Sequence, residues 1–161
     1  EVMIFISHRK TDEYKAKNLA ALLQSKSVDY YLDVLDPSTK TAFDITKHIM
    51  NNLSKCSHVI VVFSRNTEGS MWVPFELGAA YKSDKGIGTY LTELVATPEY
   101  LDTFPKMKTS ADIDKFVDEY KKDQMLTKSA RYDDSSIILN EASGSGRAER
   151  FITRLKSRLG Q

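Results

Sequence analysis

Cysteine is almost absent: Cys56 stands alone among 161 residues, so no internal disulfide can form and nothing points to an oxidising compartment. An excess of one charge is missing too, because 23 lysines and arginines meet 22 aspartates and glutamates, leaving a formal net charge of +1. A nearly neutral surface attracts neither nucleic acid nor an acidic membrane as a whole, so partners of those kinds are not expected. No apolar run approaches the roughly 20 residues that span a bilayer, and no signal segment precedes the first strand, so the chain reads as cytoplasmic. Glu1 stands directly before that strand, as in an excised domain or a protein lacking a few leading residues.

Several familiar chemistries are also missing. Neither Gly-x-Gly-x-x-Gly after the first strand nor Gly-x-x-x-x-Gly-Lys-Ser/Thr anywhere is present, which argues against a hydride-transferring dehydrogenase and a P-loop NTPase. His8, His48 and His58 do not pair with Cys56 or with acids at a zinc-like spacing, so no metal is expected. Gly144-Ser145-Gly146 lacks the strained strand-to-helix elbow that a serine hydrolase requires.

What remains is 41% hydrophobic and 28% charged, the composition of one ordinary globular domain spanning residues 1–161. Val2-Met3-Ile4-Phe5-Ile6 is continuously apolar, which suits a parallel strand covered on both faces. Residues 13–26 repeat apolar positions at helical spacing, residues 29–34 read as a second strand, and Asp44 is a candidate cap for a helix carrying Ile45, Ile49 and Leu53. His-Val-Ile-Val-Val-Phe at 58–63 predicts the central strand, and Pro74 fixes a helix start near Trp72, since proline is tolerated only in a first turn.

Residues 87–91 predict a fourth strand and 98–104 a short helix. A helix follows with Asp112 and Asp114 at its start and Lys121-Lys122 near its end. Residues 136–140 suggest a fifth strand, completing a core over 2–140, and an amphipathic helix occupies about 146–159. Strand and helix alternate, which predicts an α/β fold: a doubly wound, mostly parallel five-stranded sheet flanked by helices. Ligands of such sheets bind outside the carboxyl ends of the strands, so loops 7–12, 34–43 and 64–71 are the candidate walls of a site.

The polar residues at those strand ends are Ser7, His8, Arg9, Asp33, Asp36, Ser64 and Ser70, and beside them begins the helix holding Trp72 and Glu76. Four residues apart, Trp72 and Glu76 share a helix face. Glu76 is then either a partly desolvated carboxylate aimed at the loop end of the sheet or a solvated surface residue beside a tryptophan that plugs the core. The residues alone favour the surface reading.

Phe5-Ile6-Ser7-His8 closing the first strand, Val62-Phe63-Ser64 closing the third, and Ser70-Met71-Trp72-Val73-Pro74-Phe75-Glu76-Leu77 together resemble a Toll/interleukin receptor (TIR) domain of the bacterial kind, a flavodoxin-like fold. The match is close over residues 2–83 and general beyond. Enzymatic members cleave NAD to nicotinamide and ADP-ribose or a cyclic isomer through the glutamate of Trp-x-x-x-Glu, which here is Glu76. The resemblance thus implies NAD as substrate with no separate cofactor, self-association, and, as in Thoeris-type phage defence, a downstream effector that senses the product.

On the same footing Ser7, His8, Arg9, Asp36, Ser64, Ser70 and Trp72 are candidate substrate contacts. The family's guarding loop corresponds to 34–43, which carries Asp36-Pro37-Ser38-Thr39 without a glycine. Arg9 suits a diphosphate or a solvated turn, Trp72 suits nicotinamide stacking or core packing, and Ser7 and Ser64 suit ligand hydrogen bonds or turn caps. Two other readings are a non-catalytic TIR scaffold and an enzyme resembling nucleoside deoxyribosyltransferases.

Overall fold

The run with the strongest β character, His58–Phe63, forms the middle strand of a five-stranded sheet and is buried along its whole length. The structure is a computed structural model that describes residues 3–33, 40–130 and 146–161. In chain order the elements are β1 (Ile4–Ser7), α1 (Glu13–Ser25), β2 (Tyr30–Leu32), α2 (Ala42–Leu53), β3 (His58–Phe63), α3 (Trp72–Lys82), β4 (Gly86–Leu91), β5 (Lys106–Met107), α4 (Ser110–Ala130) and α5 (Arg147–Leu159). Short 3-10 turns occur at Lys10–Asp12, Arg65–Thr67 and Glu99–Thr103. The strands lie in the order β2-β1-β3-β4-β5 and every pairing is parallel. Each parallel step needs a crossover, and the helices supply it on both faces, giving the expected doubly wound α/β architecture.

Successive side chains of a strand point to opposite faces, so an unbroken apolar run requires cover on both sides. Ile4, Ile6, Ile60 and Val62 meet Leu19 and Leu23 of α1, Phe116 and Tyr120 of α4, and Phe151 and Leu155 of α5. Phe5, Val59, Val61 and Phe63 meet Leu53 of α2 and Val73, Leu77 and Ala80 of α3. Fully burying one such leucine or phenylalanine contributes roughly 1.5–3 kcal/mol, so the two half-cores hold the helices in place.

His58 opens β3 on the α4/α5 side, edge-on to Tyr120 and Phe151, each with centroids 4.8 Å away. Its Nε2 lies 2.9 Å from Asp123 Oδ2 and its Nδ1 2.7 Å from Ser57 Oγ. Arg154 closes this buried network, donating from Nη2 to Asp123 at 2.5 Å and from Nε to Glu119 at 2.8 Å. Burial lowers the His58 pKa against the opposing pull of Asp123, which favours the neutral ring.

Three elements differ from the sequence-based expectation. Thr41, not Asp44, caps α2: its Oγ1 accepts from the Asp44 backbone N–H at 3.2 Å and donates to Asp44 Oδ2 at 2.6 Å, a reciprocal pairing that places Asp44 inside the first turn. α4 runs well beyond Lys121-Lys122, because Asp123 is buried against His58 and Arg154 and continues the inward face past the point where apolar periodicity ends. The fifth strand of the sheet is the two-residue Lys106–Met107 beside β4, too short for its pattern to register. The strand expected at 136–140 lies outside the described residues. Among the described residues no helix is long and apolar enough to cross a membrane.

Gly86 pairs with His58 across β3 and β4, and a Cβ at that position would approach His58 Nε2 and Phe151 Cγ at 2.9 Å. Gly86→Ala should therefore lower the unfolding free energy by about 2 kcal/mol, as overpacked cores do. Urea denaturation checks this, and an unmoved midpoint would show that the His58 ring has room to yield.

Candidate active site

The strand order reverses at β1. From β1 the chain passes to α1 on one face of the sheet, and from β3 it passes to α3 on the other. Sheets of this kind carry their ligand crevice at such a switch point, outside the carboxyl ends of the two strands. Asp12, fully buried, ties together the loops that leave it. Its carboxylate accepts from Ser64 Oγ at 2.6 Å, Asn66 Nδ2 at 3.0 Å and Thr67 Oγ1 at 3.3 Å, with Lys15 Nζ at 3.7 Å. A charge taken out of water persists only when it is satisfied to this extent. Arg9 adds a second tie between the same loops, donating from Nη1 to Asn66 O at 2.5 Å.

The tied loop sets the start of α3. Pro74 lies in its first turn, where the missing N–H costs nothing, and Ser70 Oγ accepts from the Val73 N–H at 3.4 Å. Glu76 then falls in the second turn, on the inward side of the helix with Val73, Leu77 and Ala80. It is only 6% exposed, and its Oε2 has no hydrogen-bond partner. Burial pushes its pKa up to about 8, and the negative charge of Asp33 adds to the rise. The Ser7 hydroxyl beside it opposes the rise, although Ser7 Oγ completes no hydrogen bond of good geometry.

Alternation explains why these groups meet. Ser7 follows Phe5 on the α2/α3 face, pairs across the sheet with Val61, and Val61 pairs with Thr89 of β4. Thr89 lies between Ile87 and Leu91, which share that face. Among the described residues, the buried side-chain polar atoms without a partner are Ser7 Oγ, Glu76 Oε2 and Thr89 Oγ1. Buried polar atoms are nearly always satisfied, so these three on one face have hydrogen-bonding capacity to offer a ligand.

The other expected contacts fall out differently. His8 is half-buried with Nδ1 3.5 Å from Ile6 O, and burial lowers its pKa, which favours the neutral ring. Arg9 is exposed at the rim, where its guanidinium keeps donors beyond the bond to Asn66. Ser64 is buried with its hydroxyl given to Asp12 and accepting from the Asn66 N–H at 3.0 Å, so it builds the wall. Ser70 serves α3 as described. Trp72 is half-buried, belongs to neither half-core and meets Phe75 edge-on at 5.7 Å, which removes the core-plug reading. Asp36 lies outside the described residues.

Sequence reasoning left His48 and Thr89 out of the site and placed Asp12 only at the end of the wall loop 7–12. The signal for Thr89 is its place in the alternation of β4. Among the described residues no group of three or more histidines, cysteines or acids is arranged to hold a metal ion.

A family model described as TIR domain matches residues 4–126. No curated protein matches the sequence. Among solved structures the chain is similar to the TIR domain of the Toll-related receptor TRR-2 from Hydra magnipapillata, at 17% identity over 65% of this chain and 81% of that one, with a TM-score of 0.54. That likeness bears on the fold alone. It is also similar to the TIR domains of the activated Roq1 resistosome recognising the pathogen effector XopQ, at 18% identity over 98% and 84% of the two chains, TM-score 0.47. A third similar structure is the CMP N-glycosidase BcmB from Clostridium botulinum, at 17% identity over 73% and 98%, TM-score 0.47.

The raised pKa of Glu76 has a consequence for stability. Between its free value of 4.5 and about 8 the folded chain holds this proton more tightly than the unfolded chain does, so the contribution is complete below pH 4.5 and is lost as pH rises through 8. Glu76→Gln removes that loss, and its stability relative to the parent should grow across this range by up to about 5 kcal/mol. Melting both proteins from pH 4 to pH 9 measures the difference; a constant gap would mean that folding leaves the carboxyl at its free pKa.

Proposed function

The chain belongs to the TIR domain family, and on that premise we propose that it cleaves the nicotinamide–ribose bond of NAD, giving nicotinamide with ADP-ribose or a cyclic ADP-ribose isomer. The observation that carries this reading is Glu76, a carboxyl buried at the crevice with one oxygen unpartnered and its proton held to about pH 8. Such a group suits a cationic ligand, because positive charge alongside draws the proton off and the resulting anion is worth more in a dry site than in water.

Nicotinamide leaves from a cationic pyridinium as a neutral molecule, so no general acid is needed to protonate it. That removes half of the two-carboxylate apparatus that glycosidases require. The transition state still carries positive charge on the ribose, and Glu76 faces it while accepting from ribose hydroxyls. Ser7, at the end of β1, offers its hydroxyl beside the same carboxyl. Trp72, half-exposed at the mouth of the site, stacks on nicotinamide. Arg9 at the rim contacts the diphosphate. NAD is the substrate, with no further cofactor.

In the cell the released nucleotide acts as an immune signal in phage defence of the Thoeris type, read by a separate effector. Self-association brings neighbouring copies to the site. Turnover should accordingly rise more than linearly with protein concentration.

Purified protein incubated with NAD should release nicotinamide, measured by chromatography, and mass analysis identifies the ribosyl product. Glu76→Gln should fold and lose turnover by about 100-fold or more. Near-normal cleavage by the folded variant would remove Glu76 from the chemistry, and absence of nicotinamide from the parent at any concentration would leave a non-catalytic TIR scaffold.

A further inference from the structure

Glu76 shares its crevice with a second carboxylate. Asp33 lies one residue beyond β2, with a side chain only 15% exposed. The parallel register pairs Ile6 with Leu32, and one step further it sets Asp33 beside Ser7. Tyr31 packs on Phe5 with centroids 5.4 Å apart on the α2/α3 face, so alternation turns Asp33 to the face that carries Ser7 and Glu76.

His48, on α2, fixes this carboxylate. Its Nε2 is 2.9 Å from Asp33 Oδ1 and 3.2 Å from Tyr31 Oη. Asn52, one turn along, steadies the helix and ring, donating to His48 O at 2.9 Å with its amide 3.4 Å from the same ring nitrogen. An imidazole whose Nε2 faces a carboxylate carries its proton there and holds the carboxylate in one orientation. Nothing in the packing of α2 calls for a histidine–aspartate pair at this place, since Ile45, Ile49 and Leu53 already supply its buried stripe.

We propose that Asp33, positioned by His48, is a second catalytic residue that receives the proton of the attacking hydroxyl while Glu76 faces the ribosyl cation. This rests on the NAD-cleaving reading of the site. The bond between C1′ and the nicotinamide nitrogen breaks, and its electron pair leaves on that nitrogen. A hydroxyl oxygen, of water or of the substrate's distal ribose, bonds to C1′, and its proton passes to the Asp33 carboxylate. A carboxylate occupied with the cation and the ribose hydroxyls is poorly placed to take that proton as well; in glycosidases that bring in water directly, one carboxylate is given over to acting as the base for that water.

A pyridine nucleophile has no proton to lose, and this separates the two roles. Labelled nicotinamide should exchange into NAD through Glu76 alone, whereas hydrolysis and cyclisation through oxygen should need Asp33 too. Asp33→Asn is expected to lose hydrolysis and cyclisation by about 100-fold while exchange stays within a few-fold. His48→Gln should change the same ratio in the same direction by less, and it carries the test if Asp33→Asn does not fold. Equal losses of exchange and hydrolysis would reduce the pair to a structural role, and unchanged hydrolysis would remove it from the reaction. A parent protein that performs neither reaction would overturn the NAD reading and this assignment with it, whereas a parent active in both with an unmoved ratio in the variants would overturn this assignment alone.

Discussion

Asp12 is fully buried and faces no close counter-ion, so its carboxylate is held by three neutral donors of the loop after β3, with Lys15 of α1 at 3.7 Å. Each donor is worth more for being charge-assisted, and each would be left wanting if the loops separated. The loop after β1 and the loop after β3 therefore keep one relation to each other. The end of the second loop decides where α3 begins, and the start of α3 decides which residue its second turn turns inward. The position of Glu76 descends from that clasp.

The two ends of the sheet use polar groups in opposite ways. At the amino end of β3, His58, Asp123, Arg154 and Glu119 form a buried network whose members are paired, and it joins α4 and α5 to the sheet. At the carboxyl end, Ser7, Thr89 and Glu76 keep atoms without partners under the same degree of burial. Satisfied polar networks rigidify, whereas unsatisfied ones cost stability and persist where another demand outweighs it. The contrast within one sheet puts unspent hydrogen-bonding capacity toward the carboxyl end, where the strand order reverses.

Strand and helix periods were legible because they are local. The unbroken apolar runs of β1 and β3 require cover on both faces, and Pro74 pins the start of α3 within a residue or so, which places Glu76 on its helix. Elements of two residues, such as β5, and polar continuations of a buried face, as in α4 at Asp123, carry no periodic mark and are not legible in the sequence. Thr41 and Asp44 both suit an amino terminus, so local sequence does not choose between them, and in the structure the two share the work.

The sequence by itself thus determined the α/β class, the order of the main elements and the helix that carries Glu76, because these follow from residue periodicity over a few turns. Only the tertiary structure decided that Glu76 is buried rather than solvated, against what its neighbours alone favoured. It also decided that Ser64 is spent on Asp12 and that Asp33 and His48 stand in the crevice. Those outcomes depend on pairs far apart in the chain, 52 residues between Asp12 and Ser64 and 15 between Asp33 and His48, and on desolvation, which no local pattern encodes. A carboxylate acquires a pKa near 8 from everything packed around it, and that surrounding exists only once the chain has folded.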